Sequence, residues 1–215
     1  VSQGQYFNPL TSLYLFPRGE DFSDVTVYER YDDLSGVNTQ YWPYGDLGGV
    51  SSQNPYWIMN RMNRENDRRR YKLAASLQYN IIDGLNVQGR VSIDNTESKY
   101  TEKFHAGTVG NFAGSKGRYK EENRLDRQVY ADVLANFNKT FNEFNVTANL
   151  GASIKDLRME LTSLHGDLNN VTNHFTIENL TRSGYYKVNA DGLKRQTQSV
   201  FANAEIGWRS FLYLS

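Results

Sequence analysis

The residues able to do chemistry in this chain are few and scattered. His105, His165 and His174 are its three histidines, and it has no cysteine. Disulfides, thiolate metal sites and thiol nucleophiles are therefore excluded. No ligand spacing such as a helical His-x-x-x-His links the histidines, so solvent-facing imidazoles and no metal are expected. Two acidic sets, Glu20, Asp21, Asp24 and Glu29, Asp32, Asp33, carry the oxygen ligands that calcium takes. They lack the Asp-x-Asp-x-Asp-Gly order of an EF-hand, which leaves solvated loop charge as the plainer expectation. Tyr41, Trp42, Tyr44, Tyr56 and Trp57 concentrate flat aromatic faces near the N-terminus. Such faces stack on sugar rings, which makes these five the substrate-binding candidates; the alternative is that they pack their segment into a stable cap. Asn138, Asn145, Asn170 and Asn179 each open an Asn-x-Thr sequon, a pattern that wet strand faces also produce. No nucleophile–base–acid set, phosphate-cradling glycine loop or clamped carboxylate pair is present. Nothing supports an enzyme or a cofactor.

Composition narrows the setting. The 24 basic and 24 acidic side chains cancel, so the electrostatic footprint of a nucleic-acid binder is missing. Mean hydropathy is −0.67 with 39% hydrophobic residues, low for a chain that must bury a large core. Fifteen Tyr against four Pro suit a sheet with one wet face. No stretch approaches the roughly 20 apolar residues of a membrane-spanning helix. The chain opens at Val1 without a signal peptide and stops at Phe211-Leu-Tyr-Leu-Ser215, in mid-strand by its pattern. A piece of a longer protein is the expectation.

Period-two alternation sets the elements. Residues 72–95 place Leu73, Ala75, Leu77 and Tyr79 on one parity, turn at Ile81-Ile-Asp-Gly84, and continue with Leu85, Val87, Gly89, Val91 and Ile93. Residues 128–138 and 144–154 repeat the unit: Val129, Ala131, Val133, Ala135 and Phe137 are answered by Phe144, Val146, Ala148, Leu150 and Ala152. A third unit starts at Ser199, with Val200, Ala202, Ala204, Ile206 and Trp208, turns at 209–210 and resumes with Phe211 and Tyr213. Strands are expected at 70–80, 85–95, 128–138, 144–154 and 199–208. Between them, 96–126 and 155–197 are polar and rich in Gly, Asn and charge, and read as two long loops. Residues 1–66 read as a longer loop region, with NPL, FPRG, DLGG and NPYW as turn signals.

Alternation alone does not tell lipid from a protein core. Five apolar positions over nine residues span about 30 Å, or on the order of 23 Å along the normal at a tilt of about 40°. That is close to the apolar band of a transmembrane barrel. Connections alternate between short and long, as they do in such barrels. Aromatics cluster at the short-turn ends, where a girdle belongs: Tyr79, Phe137, Phe144, Trp208, Phe211 and Tyr213. The lipid-facing set is then Leu73, Leu77, Val87, Val91, Val129, Val133, Val146, Leu150, Val200 and Ile206. Arg68-Arg69-Arg70 stands where the first strand leaves the outer loop, as a charged strand end or a contact for lipopolysaccharide phosphate.

NPL at 8–10, YLFPRGEDF at 14–22, QYWPY at 40–44 and QNPYW at 53–57 precede RRRYKLAASLQYNIIDGLNVQGRVSIDN, KGRY at 116–119 and RQVYADVLANFNKTFNEFNVTANLGAS at 127–153; VFANAEIGWRSFLYLS closes the series. In this order, over nearly the whole chain, these stretches resemble the SusC/RagA-type TonB-dependent outer-membrane transporters of Bacteroidetes. The resemblance implies an all-β, antiparallel up-and-down transmembrane β-barrel segment, about six strands of a larger barrel of about 22, with long extracellular loops. Residues 1–66 would be an extracellular loop region and 67–215 barrel strands with outer loops 96–126 and 155–197. The plug domain and the TonB-contacting segment are absent from this chain. The family imports oligosaccharides or peptides with a SusD-like surface lipoprotein as lid. The implied partners are that lipoprotein and the TonB complex (through parts not in this chain), outer-membrane lipid and the substrate. The implied location is the bacterial outer membrane, as a multi-pass protein. The alternative is a soluble or surface-attached β-sandwich that binds glycans or proteins.

Overall fold

The computed structural model describes residues 8–14, 16–44, 53–182, 187–209 and 211–215. Ser210 of the expected third turn, the DLGG turn signal and residues 183–186 of the second expected loop lie outside them. Short elements come first: α1 (Pro9–Tyr14), a 3-10 turn (Phe22–Thr26), β1 (Glu29–Asp32), β2 (Val37–Gln40) and α2 (Pro55–Arg61). Long strands follow: β3 (Met62–Ile82), β4 (Leu85–Phe104), β5 (Arg118–Phe141), β6 (Phe144–Asp167) and β7 (Lys187–Trp208), then β8 (Leu212–Leu214). They form one six-stranded sheet in the order β3-β4-β5-β6-β7-β8, while β1 and β2 pair separately. The class is all-β, an antiparallel meander.

The tight ends lie where alternation puts them. Gly84 takes φ +84°, and a Cβ there would meet the Asn138 carbonyl oxygen at 2.6 Å, so the first turn requires glycine on both counts. Asn142 and Arg209 hold the other two turns with φ of 53° and 47°. Arg209 N–H donates to the Glu143 carbonyl at 2.8 Å, and their side chains form an ion pair.

The strands extend further than expected at the opposite end. Residues 96–104, 118–126, 155–167 and 187–197 are strand, which shortens the two connections to 105–117 and 168–186. Alternation detects a strand by its oily face, and here both faces turn polar while the ladder continues. Cross-strand ion pairs take over: Lys103–Glu65 at 3.9 Å, Lys99–Glu121 at 3.5 Å and Arg118–Asp167 at 2.7 Å.

The chain divides into two compact units. One unit holds 1–67, 98–123 and 162–190; the other holds 68–97, 124–161 and 191–215. In the first, Trp57, Ile58, Met62, Phe104 and Ala113 form a buried cluster with Tyr28 and Phe112 against it. Asn54 organises its entry: it caps α2 by accepting from Tyr56 N–H at 2.8 Å and donates to the carbonyls of Val25 and Tyr41. Gly107, at φ +83°, passes so close to the Asn38–Thr39 backbone that no side chain fits. Tyr119, Leu168 and Leu180 form a second cluster, with Phe175 against it. Beside it the Asn179 amide accepts from Asn170 and Val171 N–H and donates to the Val171 and His174 carbonyls. That sequon asparagine is committed to holding its loop. Among the described residues, the second unit consists of strand and tight turns.

Candidate functional site

In the first unit, a cleft of about 360 Å³ is lined by Glu20, Asp24, Val27, Arg30, Tyr41, Pro43 and Tyr44. Short local devices position these side chains. Asp21 accepts from Ser23 N–H at 2.9 Å and caps the 3-10 turn that carries Asp24, while buried Val25 anchors it. Asp32 accepts from the Leu34 and Ser35 N–H groups and closes the β1–β2 hairpin, with Gly36 at φ +69°. Tyr41 N–H then donates to the Tyr28 carbonyl at 2.9 Å. The Arg30 guanidinium lies over the Tyr41 ring at 3.4 Å. Tyr44 meets Phe16 edge-on at 4.8 Å. Burial, then the nearby charges of Glu20 and Asp24, push its hydroxyl above the usual tyrosine range. Two carboxylates, a guanidinium and two phenols can hydrogen-bond and stack.

Of the five aromatic candidates only Tyr41 and Tyr44 line this cleft. Trp42 and Trp57 are 1% and 0% exposed, inside the unit, and Tyr56 stacks on Tyr28 at 6.5 Å. Arg30, Val27 and Pro43 belong to the cleft although no sequence signal marked them. The hairpin that brings Arg30 to Tyr41 became visible only with its register.

The acidic sets divide: Glu20 and Asp24 line the cleft, while Asp21, Asp32 and Glu29 hold local structure. Asp21 and Asp32 cap turns, which holds both below the usual carboxylate range. Glu29 accepts a two-pronged contact from Arg61, 2.8 Å on each prong, and is lowered by it. Among the described residues no three His, Asp or Glu converge on one point. His174 is exposed as expected, but the other two histidines are less open. His105 packs edge-on against Phe175 at 5.0 Å, and burial, then Arg61, lowers it below its ordinary 6.5. His165 is lowered by burial, then by Lys120, Lys187 and Arg118.

Both imidazoles are thus neutral in the folded unit at a pH where the unfolded chain begins to protonate. The stability they contribute is present above about pH 6.5 and falls as pH drops below it, until their lowered folded values are reached. Glu29, lowered from 4.5, adds a further loss as pH falls below that value. Proteolysis of 105–117 and 168–182 is expected to accelerate from about pH 7.5 to about pH 5, and less so in a His105→Asn variant. A flat pH profile would contradict this.

The second unit presents two chemically distinct faces. On one, Leu73, Leu77, Leu150 and Val200 are exposed at 66, 77, 59 and 80%. Val91, Val133 and Ile206 are also exposed on this parity, and Val87, Val129 and Val146 are half-buried between neighbours. On the other, polar side chains join across strands. Arg70 donates to Asp94 at 2.9 and 2.6 Å, Arg90 to Asp132 at 2.9 and 3.1 Å, and Asn136 to Asn86 at 2.9 Å. Sequence reading missed these pairs, because cross-strand partners follow only once turn lengths are known. The aromatics Tyr79, Phe144, Trp208 and Phe211 stand exposed near the tight turns and Phe137 is half-buried. Tyr213 differs from expectation: it pairs with Gly207 and so shares the wet parity, while Leu212 and Leu214 face with Trp208 and Ile206. Three residues, not two, link Trp208 to Leu212, which reverses the parity.

No family model matches the chain, and no curated protein does. Solved structures do. The chain is similar to the RagAB peptide transporter with a TM-score of 0.64 at 14% identity, over 80% of this chain and 19% of that one. For the RagAB peptide importer in its closed-closed state the values are 0.63 and 14%, and in its open-open state 0.65 and 13%, with the same coverage. The chain spans about a fifth (19%) of the length of the chains it matches. At such identity the likeness is one of fold: these strands follow the path of part of a transporter chain.

Proposed function

We propose that this chain forms part of the wall and outer surface of a TonB-dependent outer-membrane nutrient importer. The supporting observation is the second unit itself. It is a strand-only sheet whose apolar face is open across β3 to β7, with Leu77 and Val200 77 and 80% exposed, and whose other face is cross-linked by polar pairs. A sandwich would lay a second sheet over that apolar face, and none of the described residues covers it. Lipid would cover it and a polar lumen would wet the other face. The short turns then face the periplasm and the long connections the outside. The fold likeness is to a peptide importer, which favours peptides over oligosaccharides as cargo; the proposed partner is the SusD-like surface lipoprotein that the sequence resemblance implies. Chemically the cleft suits a polar, extended ligand: Glu20 and Asp24 accept from N–H groups or cationic side chains, Arg30 pairs carboxylates, and the tyrosines supply stacking faces.

Tyr41→Ala with Tyr44→Ala in the full-length protein is expected to weaken peptide binding by about 5–30-fold while leaving membrane assembly unchanged. Fluorescence polarisation against a mixed peptide pool, run beside an oligosaccharide pool, measures it. Unchanged affinity for both pools would remove the cleft from the substrate path.

A further inference from the structure

One row of side chains on the apolar parity has no role in the wall as described. Counting back from the turn, where Phe141 stands opposite Phe144, brings Arg127 opposite Arg158 across β5 and β6. The far end keeps the same register, since Leu168 N–H donates to the Gly117 carbonyl at 2.9 Å. From Arg209 on Glu143 and Phe201 over Gly151, the same count brings Lys194 opposite Arg158 across β6 and β7. Three exposed cations therefore stand side by side on three paired strands. None has an ion-pair partner among the described residues, although Asp156 and Glu160 flank Arg158 along its own strand. Like charges directly opposite one another on a sheet destabilise it unless an anion lies between them.

A second feature lies on the same face toward the turns. A furrow of about 430 Å³ runs over the small side chains Ala131 and Ala152, walled by Val133, Ile154 and Val200. It ends about 13 Å along the strands from the cationic row, four residues at roughly 3.3 Å each. Arginine and lysine stems are long enough to span part of that gap along the sheet.

We infer that this face holds a phosphorylated lipid of the outer leaflet, with an acyl chain in the Ala131–Ala152 furrow and a headgroup phosphate on Arg127, Arg158 and Lys194. The inference rests on the membrane reading of the sheet. Charge complementarity selects the occupant: a phosphate carries close to two negative charges and pairs with arginine through two parallel hydrogen bonds. An apolar groove in line with a cationic row on the same face fits a lipid better than a free anion, which would leave the furrow unfilled.

The test uses the full-length protein in phosphatidylcholine nanodiscs doped with lipid A, either phosphorylated or phosphatase-treated, with bound lipid counted by native mass spectrometry. The wild type is expected to retain phosphorylated lipid A about tenfold over the treated form. Arg158→Glu places a carboxylate between two cations, so the variant should assemble normally, by heat-modifiable gel mobility, yet lose that preference. If this variant fails to assemble, Arg127→Gln with Lys194→Gln reads the same loss. Ala152→Phe should lower retention of both lipids by filling the furrow. Equal retention by the wild type and Arg158→Glu, or equal retention of the two lipids by the wild type, would overturn the site while leaving the membrane reading intact. Failure of the wild type to enter any bilayer would overturn both.

Discussion

Trp57→Ala is expected to cost about 3–5 kcal/mol, the largest loss from any single change in the first unit. Trp57 is 0% exposed and lies at the centre of the cluster with Ile58, Met62 and Phe104. Its indole N–H donates to the Thr108 hydroxyl at 3.1 Å, so the substitution opens a cavity and also removes a buried partner. Trp57 comes from α2, Phe104 from the end of β4, and Thr108 from the connection beyond it. Loss of the ring should therefore release several segments together. Hydrogen exchange on the full-length protein should rise across 22–44 and 105–113, while 128–154 keeps its protection. Trp57→Phe should show a smaller change of the same kind. Unaltered exchange in both segments after Trp57→Ala would show that the cluster does not hold the unit together.

Leu150→Arg is the second large effect, and it tests the opposite unit. Leu150 is 59% exposed on the apolar parity, beside the furrow formed with Ala135, Ala148 and Ala202. In water such a change on an exposed leucine costs little, within about 0.5 kcal/mol. Against hydrocarbon near the midplane it costs about 2–4 kcal/mol. Asn149→Arg, one residue away on the wet parity, is expected to be tolerated. The contrast matters more than either value, because only a lipid-covered face makes neighbouring residues so unequal. Folding titrations into lipid vesicles measure both, and equal small effects would remove lipid from that face.

Much of the sheet could be read from the sequence, and for a definite reason. Where one face is apolar and the other wet, the side-chain period reports the strand directly, so the segments around Leu77, Val91, Val133 and Leu150 were visible. The same criterion ends at Asp94 and starts again only near Gln128, since residues such as Lys99, Glu121 and Lys103 make both faces polar while the ladder persists. The cleft was legible only in part. Tyr41 and Tyr44 belong to an aromatic concentration that any reading would mark, but the same rule marked Trp42 and Trp57, which the fold buries. Aromatic stacking on a ligand and aromatic packing in a core draw on the same residue types, and burial alone separates them. Arg30 was invisible because its importance comes from a hairpin register, in which Arg30 pairs with Thr39.

The central claim is that this sheet crosses a membrane with its tight turns on one side and its long connections on the other. Single cysteines at Asp83, in the first turn, and at Ser115, in the connection before β5, test it in a cysteine-free background of the full-length protein. Both positions are exposed. With a membrane-impermeant maleimide on intact cells, Ser115→Cys is expected to label fully, and Asp83→Cys only after the outer membrane is permeabilised. Equal labelling of both positions on sealed cells would contradict the claim.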